Sequence, residues 1–315
     1  MKAVGVTRFG GPEVLAVYDL PEPHAGPGQV RVRVHAATVN PGDRYIRNGA
    51  VDLGTLRPPY ILGLEAAGVL DEIGPETVTS LRVGDPVMAV AAPAEATGGA
   101  YAEYVVLPAW RVARAPAGRS HAEAATLPMN GLTARHALDL IEPTPGQTVA
   151  VTGSAGAVGG YVVQMAKSQG LTVVAVAGPA DEELVRGLGA DLVVGWEGGL
   201  GRNLLRAVPE GVHGLVDTVG AGAAALAAVR DGAAVSSPVG GVRSPDLRRR
   251  SIRSSTALYS EYLDREGARL DRLRDQVEKD ELTLRVARTL RPEEAGTAHR
   301  LLETRGIRGR LVLEF

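Results

Sequence analysis

A glycine series in the middle of the chain, Gly153-Ser154-Ala155-Gly156-Ala157-Val158-Gly159, has a spacing that lets backbone wrap closely around a phosphate. The apolar run Thr148–Thr152 leads into it, and a helical pattern over about 157–169 follows. Strand, tight turn and helix in that order allow a pyrophosphate to approach the backbone, with the helix packed hard against the strand. The helix N-terminus adds N–H groups and a positive dipole end. The expected ligand is a dinucleotide, held by residues 153–159. The spacing is GxxGxxG rather than GxGxxG, so a ligand-free glycine turn is the competing reading; the strand–helix context favours the dinucleotide.

In NAD enzymes an acid at the end of the second strand bonds the ribose hydroxyls, about 20 residues further on. Ala177 and Gly178 stand there. Without that acid a 2′-phosphate meets no repulsion, which favours NADPH, with NADH as the alternative. Asp181, Glu182 and Glu183 follow, and are suited to a helix N-terminus. Gly178, Gly220 and Val239 lie at the carboxyl ends of predicted strands, where such sheets contact their ligands.

Other chemistry is sparse. There is no cysteine, which excludes disulfides, thiolate catalysis and every Cys-ligated zinc site. The six histidines show no HxH or HxxxH spacing. Asn40-Pro41-Gly42-Asp43 reads as a helix start, with Asn40 as the cap, Pro41 in the first turn and Asp43 completing a capping box. Asn40 can also bond a substrate or a cofactor ribose. Tyr45 follows as a hydrogen-bond donor, and Arg47 reads as part of a solvated helix face. Asp246–Arg253 is the densest basic run: a solvated loop, or a phosphate site.

These residues need scaffolds. At 315 residues and 45% hydrophobic, the chain is long enough for two cored domains. Residues 1–115 carry alternating runs such as Val30–His35, the signature of half-buried strands. From about 121 to 240 short apolar runs alternate with helical stretches, which implies a doubly wound parallel sheet. Leu263–Leu282 and Pro292–Thr304 read as helices. The final run Gly309–Leu313 reads as a strand that needs a sheet, and the first domain is the expected host. The expected division is therefore a discontinuous domain, 1–120 with 262–315, around a dinucleotide-binding domain, 121–261. A net charge of −2 gives no global reason to expect nucleic acid. With neither a signal-peptide pattern nor a long apolar span, a cytoplasmic protein without a membrane partner is expected.

Several motifs together resemble the quinone oxidoreductase, zeta-crystallin-like branch of the medium-chain dehydrogenase/reductase superfamily. They are Phe9–Leu15, Val39–Gly49, Gly63–Val69, Gly98–Tyr104, Leu127–Ala134, the glycine turn and Leu188–Asp191. The resemblance implies an α/β chain with a GroES-like β-rich domain and a Rossmann domain, a homodimer, and NADPH-dependent reduction of a quinone, an enone or an enoyl thioester. It places Asn40 and Tyr45 beside the nicotinamide, where Tyr45 is the preferred proton donor, and Thr133 near the nicotinamide ribose; a Tyr and a Thr that merely pack on their helices are the competing readings. Zinc-dependent relatives have Gly-His-Glu where this chain has Gly63-Leu64-Glu65, so no zinc is expected. Asp181 and Trp196 stand where many members carry a Lys and a Tyr near the 2′-phosphate. Some relatives are crystallins or RNA-binding proteins, which makes a non-catalytic NADPH-binding role the alternative.

Overall fold

The computed structural model describes residues 1–95, 98–257, 266–304 and 306–315. It divides into two compact units: the described residues within Met1–Met129, Asp264–Glu278 and Leu284–Phe315, and those within Asn130–Leu263 and Lys279–Thr283.

The first unit begins with β1 (Lys2–Val6), β2 (Ala16–Asp19) and the long β3 (Gln29–Thr38). Helix α1 (Pro41–Arg47) follows, then β4 (Tyr60–Ile61), β5 (Glu65–Ile73), β6 (Pro86–Val90), β7 (Tyr104–Pro108) and β8 (Val112–Arg114). Strand β3 shows why the alternating pattern forms sheet. Val30, Val32 and Val34 point into the core, while Arg33 between them is exposed. Strands β2, β1 and β4 make a small antiparallel sheet, and β3 pairs antiparallel with both β5 and β7. Helix α2 (His121–Ala124) starts on a capping box between Ser120 and Glu123.

Helix α3 (Pro128–Asp139) leads into the second unit. There β9 (Thr148–Thr152), α4 (Ala157–Ser168), β10 (Thr172–Val176), α5 (Glu182–Gly187) and β11 (Leu192–Val194) alternate. Helix α6 (Leu200–Ala207), β12 (Val212–Asp217), α7 (Gly222–Ala225), β13 (Val229–Ser237), α8 (Asp246–Arg249) and β14 (Arg253–Thr256) complete it. The sheet order is β11-β10-β9-β12-β13-β14, and every neighbouring pair is parallel. This is the Rossmann order, which reverses direction between β9 and β12. Val173, Val174, Ala175 and Val176 are all buried, as expected for a strand covered on both faces. The sixth strand, β14, begins at the last residue of the basic run and was not foreseen from the sequence.

The chain then returns to the first unit with α9 (Glu266–Glu278), β15 (Val286–Leu290), α10 (Ala295–Glu303) and β16 (Arg310–Glu314). The first three residues of the helix expected from Leu263 lie outside the described residues. β16 pairs antiparallel with β3, Val312 opposite Thr38, and so brings Arg310 beside the end of β3.

Candidate functional site

In the second unit, β9 ends at Thr152 and Gly153 turns the chain with φ +62°. A Cβ on Gly153 would stand 2.5 Å from both Thr218 Oγ1 and Val219 Cγ1. Gly156 caps α4, and its N–H donates to the Gly153 carbonyl at 2.9 Å. A Cβ on Gly159, in the first turn of α4, would lie 2.2 Å from that same carbonyl. Helix and turn thus meet at a distance that only glycine permits. Helix geometry leaves the N–H groups of Ala157, Val158 and Gly159 without acceptors inside the helix. The Ser154 hydroxyl donates to Val151 O at 2.6 Å and accepts from Val176 N–H at 3.1 Å. Ser154 therefore ties β9 to β10 with its side chain, and Ala155 beside it is buried. The cradle fits a pyrophosphate: small, backbone-lined and set at a helix N-terminus.

Other residues expected at the cofactor lie at neighbouring strand ends of this unit and in α3. Gly220, after β12, has φ +78°, and a Cβ there would lie 3.9 Å from Val239 Cγ2. Gly220 and Val239 are thus brought together, and Val239 is exposed. Gly178 begins the turn after β10 with open space where a Cβ would be. Thr133 is half-buried in α3.

The first unit holds a second group of polar residues around α1. Asn40 is 3% exposed, and its amide nitrogen donates to Glu65 Oε1 at 3.0 Å. Its backbone N–H donates to Asp43 Oδ2 at 2.8 Å, the Asp43 half of the expected capping box. Glu65 also accepts from the Thr38 hydroxyl and from Met129 N–H, the latter at 2.6 Å, and pairs with Arg310 at 3.6 Å. Burial pushes the Glu65 carboxyl above its usual range, while Arg310 pulls it back. Asp43 accepts further from Gly63 N–H and from the Tyr101 hydroxyl, each at 2.9 Å. Burial raises its pKa to about 6 against the pull of these donors. Tyr45 projects from α1 and is 47% exposed, with Arg44 stacked 5.1 Å from its ring centre.

Two family models match the chain: "Alcohol dehydrogenase GroES-like domain" over residues 26–117 and "Zinc-binding dehydrogenase" over 188–313. A crystal structure of an NAD-dependent alcohol dehydrogenase is 31% identical, with a TM-score of 0.89 and all of both chains covered. The quinone oxidoreductase from Coxiella burnetii is 30% identical at a TM-score of 0.86, covering 100% of this chain and 99% of that one. The chain belongs to the medium-chain dehydrogenase/reductase family. Among curated members, the chloroplastic NADPH-dependent alkenal/one oxidoreductase of Arabidopsis thaliana is 31% identical over 255 residues, 79% of this chain and 65% of the relative. The chain spans less than two thirds of the length of the curated relatives it matches.

Within this member of the family, two sequence expectations need correction. Arg47 does not lie on a solvated face. It is 3% exposed, donating to His299 Nδ1 at 3.0 Å, to Glu303 Oε1 at 2.7 Å and to the Gly10 carbonyl. The basic run is a solvated loop only in part: Arg248 and Arg249 lie exposed on α8, but its other two arginines are engaged. Arg250 donates to Asp231 and to the carbonyls of Leu226 and Val229 at 2.5–2.6 Å, and Arg253 pairs with Glu142 at 2.9 Å.

Sequence reasoning missed Arg310 as the counter-charge of Glu65. Its one signal was a charge at the start of an otherwise apolar run, Leu311–Leu313, in the terminal strand. It also missed Asp217, which is buried at the end of β12 with loop N–H groups bonded to it. Among the described residues no three or more of His, Cys, Asp or Glu are grouped to hold a metal. No described helix is long and apolar enough to cross a membrane.

Proposed function

We propose that the chain is an oxidoreductase that uses NADPH to reduce a quinone or an activated C=C bond, an enone or enoyl thioester, without zinc. The observation that carries this reading is the glycine cradle at the switch point of the second unit, where Gly153 and Gly159 leave no room for a Cβ. A bound reduced nicotinamide supplies the hydride; the protein's task is to hold and orient the reactants. Residues 153–159 hold the pyrophosphate through backbone N–H groups. Gly220 and Val239 border the nicotinamide half, and Thr133 the adjoining ribose. On the adenosine side β10 ends at Val176 and Ala177 and Gly178 follow, with no carboxylate there to repel a 2′-phosphate. The name of the Arabidopsis relative supports the same cofactor.

In the first unit, Tyr45 is the donor assigned to the substrate oxygen or to the carbanion that hydride addition leaves. Its exposure suits a group that must reach a ligand. Asn40 is assigned a place at the cofactor and a role in holding the head of α1, since Glu65 already fixes its amide nitrogen. Zinc independence rests on the chain's own donor set: no cysteine, and Leu64 between Gly63 and Glu65. A cytoplasmic homodimer, acting on small molecules without a nucleic-acid partner, completes the reading.

The test is oxidation of NADPH and NADH against a panel of quinones, enones and enoyl thioesters. Turnover with NADPH and at least one class is expected. Tight NADPH binding with no turnover would place the chain among non-catalytic binders. Tyr45→Phe is expected to lower kcat by roughly 100-fold; an unchanged kcat would remove Tyr45 as the donor.

A further inference from the structure

Asp217 is 1% exposed. Its Oδ1 accepts from the Thr152 hydroxyl at 2.6 Å, from Ala221 N–H at 3.0 Å and from Val219 N–H at 3.3 Å. Its Oδ2 accepts from Gly222 N–H at 2.6 Å. Thr152 spends its proton on Asp217 and accepts from Thr218 N–H at 3.1 Å, while the Thr218 hydroxyl donates back to Thr152 O at 2.7 Å. The directions are mutually consistent, and between them they bind four N–H groups of the five-residue loop Thr218–Gly222. Gly222 admits the carboxylate, since a Cβ there would lie 2.9 Å from Asp217 Oδ2.

The loop so held is the one that packs on the cradle: Thr218 and Val219 are the atoms that would strike a Cβ on Gly153. β12 lies on the opposite side of β9 from β10. In this sheet order the strand-two side takes the adenosine ribose, so the β12 side takes the nicotinamide half. We infer that Asp217, directly and through Thr152, is a positioning residue that presets the Thr218–Gly220 loop for the nicotinamide half of the cofactor. The inference rests on the dinucleotide reading above. A carboxylate that gathers loop N–H groups before any ligand arrives removes the ordering cost from binding. It also aims the loop's remaining groups outward.

The test compares two ligands by fluorescence or calorimetric titration: NADPH, and 2′-phospho-ADP-ribose, which lacks the nicotinamide ring. If the wild type binds only NADH, NADH and ADP-ribose replace them. Asp217→Asn sets an NH2 group against N–H donors, and is expected to weaken NADPH binding by roughly tenfold while changing the truncated ligand less than about twofold. Thr152→Val removes the hydroxyl but keeps the carboxylate and the strand. It is expected to show the same split at roughly threefold, which covers the case in which Asp217→Asn does not fold. Equal losses for both ligands, or no loss for either, would overturn the inference. Failure of the wild type to bind any of the four would instead overturn the dinucleotide reading itself.

Discussion

Tyr101 and His299 meet edge to face inside the first unit, their ring planes 88° apart and the Tyr101 hydroxyl 3.5 Å from His299 Nε2. Their partners set the direction of every bond. Arg47 has no acceptor, so it donates to His299 Nδ1, and the proton of neutral His299 must sit on Nε2. Nε2 then faces the Tyr101 oxygen, whose own proton goes to Asp43. Arg47 cannot release a proton, so this is a fixed scaffold beneath α1 rather than a proton path.

The scaffold has a pH signature. Burial, and then the Arg47 charge, lower the His299 pKa from 6.5 to about 3. Between those values the unfolded chain binds the extra proton, so the His299 contribution is full above pH 6.5 and is lost as the pH falls toward 3. Asp43, raised from 3.8 to about 6, runs the other way: its contribution is full below pH 3.8 and is lost as the pH rises through 6. His299→Gln keeps an acceptor and a donor but does not titrate. Between pH 6.5 and 5 the wild type is expected to lose about 2 kcal/mol more stability than this variant. Parallel pH–stability curves from urea unfolding would count against it.

The Glu65–Arg310 pair predicts a second stability pattern. Both side chains are buried, and Arg310 is the counter-charge that offsets the burial of Glu65. Arg310→Leu leaves that carboxylate its hydrogen bonds but no counter-charge, and is expected to cost about 3–5 kcal/mol. Adding Glu65→Gln removes the stranded charge and is expected to recover about half of the loss. Urea unfolding of the two single variants and the double variant checks this; additive losses would show that the two residues are not coupled.

What was legible in the sequence was local. The apolar run of β9, the three glycines and the helix after them lie within about 20 consecutive residues, and period and turn chemistry identify them. β14 was not legible because Arg253-Ser254-Ser255-Thr256 is a polar edge strand without an apolar pattern. Arg47 looked like a surface residue because its partners His299 and Glu303 lie 252 and 256 residues away. A charge pattern on one short helix carries no information about a second helix that arrives from the other end of the chain. Arg310 was hidden in the same way, since β16 must reach β3 before its charge has meaning; for Asp43 the capping box was legible, but its bond from Tyr101 was not.

The cradle glycines predict losses in both binding and stability. Gly153→Ala asks a left-handed residue to carry a Cβ at a site already filled by Thr218 and Val219. A destabilisation of at least about 2 kcal/mol is expected. Gly159→Ala leaves the backbone conformation accessible but drives α4 away from the Gly153 carbonyl, so weaker NADPH binding, by roughly tenfold or more, is expected with a smaller stability loss. Thermal melts and NADPH titrations of both variants separate the two effects. Full affinity in Gly159→Ala would mean that the cradle is not where the pyrophosphate sits.

The proposed zinc independence makes the last prediction, and the chain's own residues argue it. A catalytic zinc needs three protein ligands and an open position, commonly with thiolate or imidazole donors. This chain has no cysteine, and at Gly63-Leu64-Glu65 the central side chain is an aliphatic group whose Cδ1 would sit 2.6 Å from a Cβ on Gly42. Leu64 thus packs against the first turn of α1, and Glu65 beside it is taken up by Thr38, Asn40, Met129 and Arg310. Prolonged treatment with EDTA or 1,10-phenanthroline is therefore expected to change NADPH-dependent turnover by less than about twofold. Elemental analysis of the purified protein is expected to find well under one zinc per chain. Stoichiometric zinc whose removal abolishes turnover would show that the "zinc-binding" part of the family description applies to this chain after all, through a ligand set without thiolates.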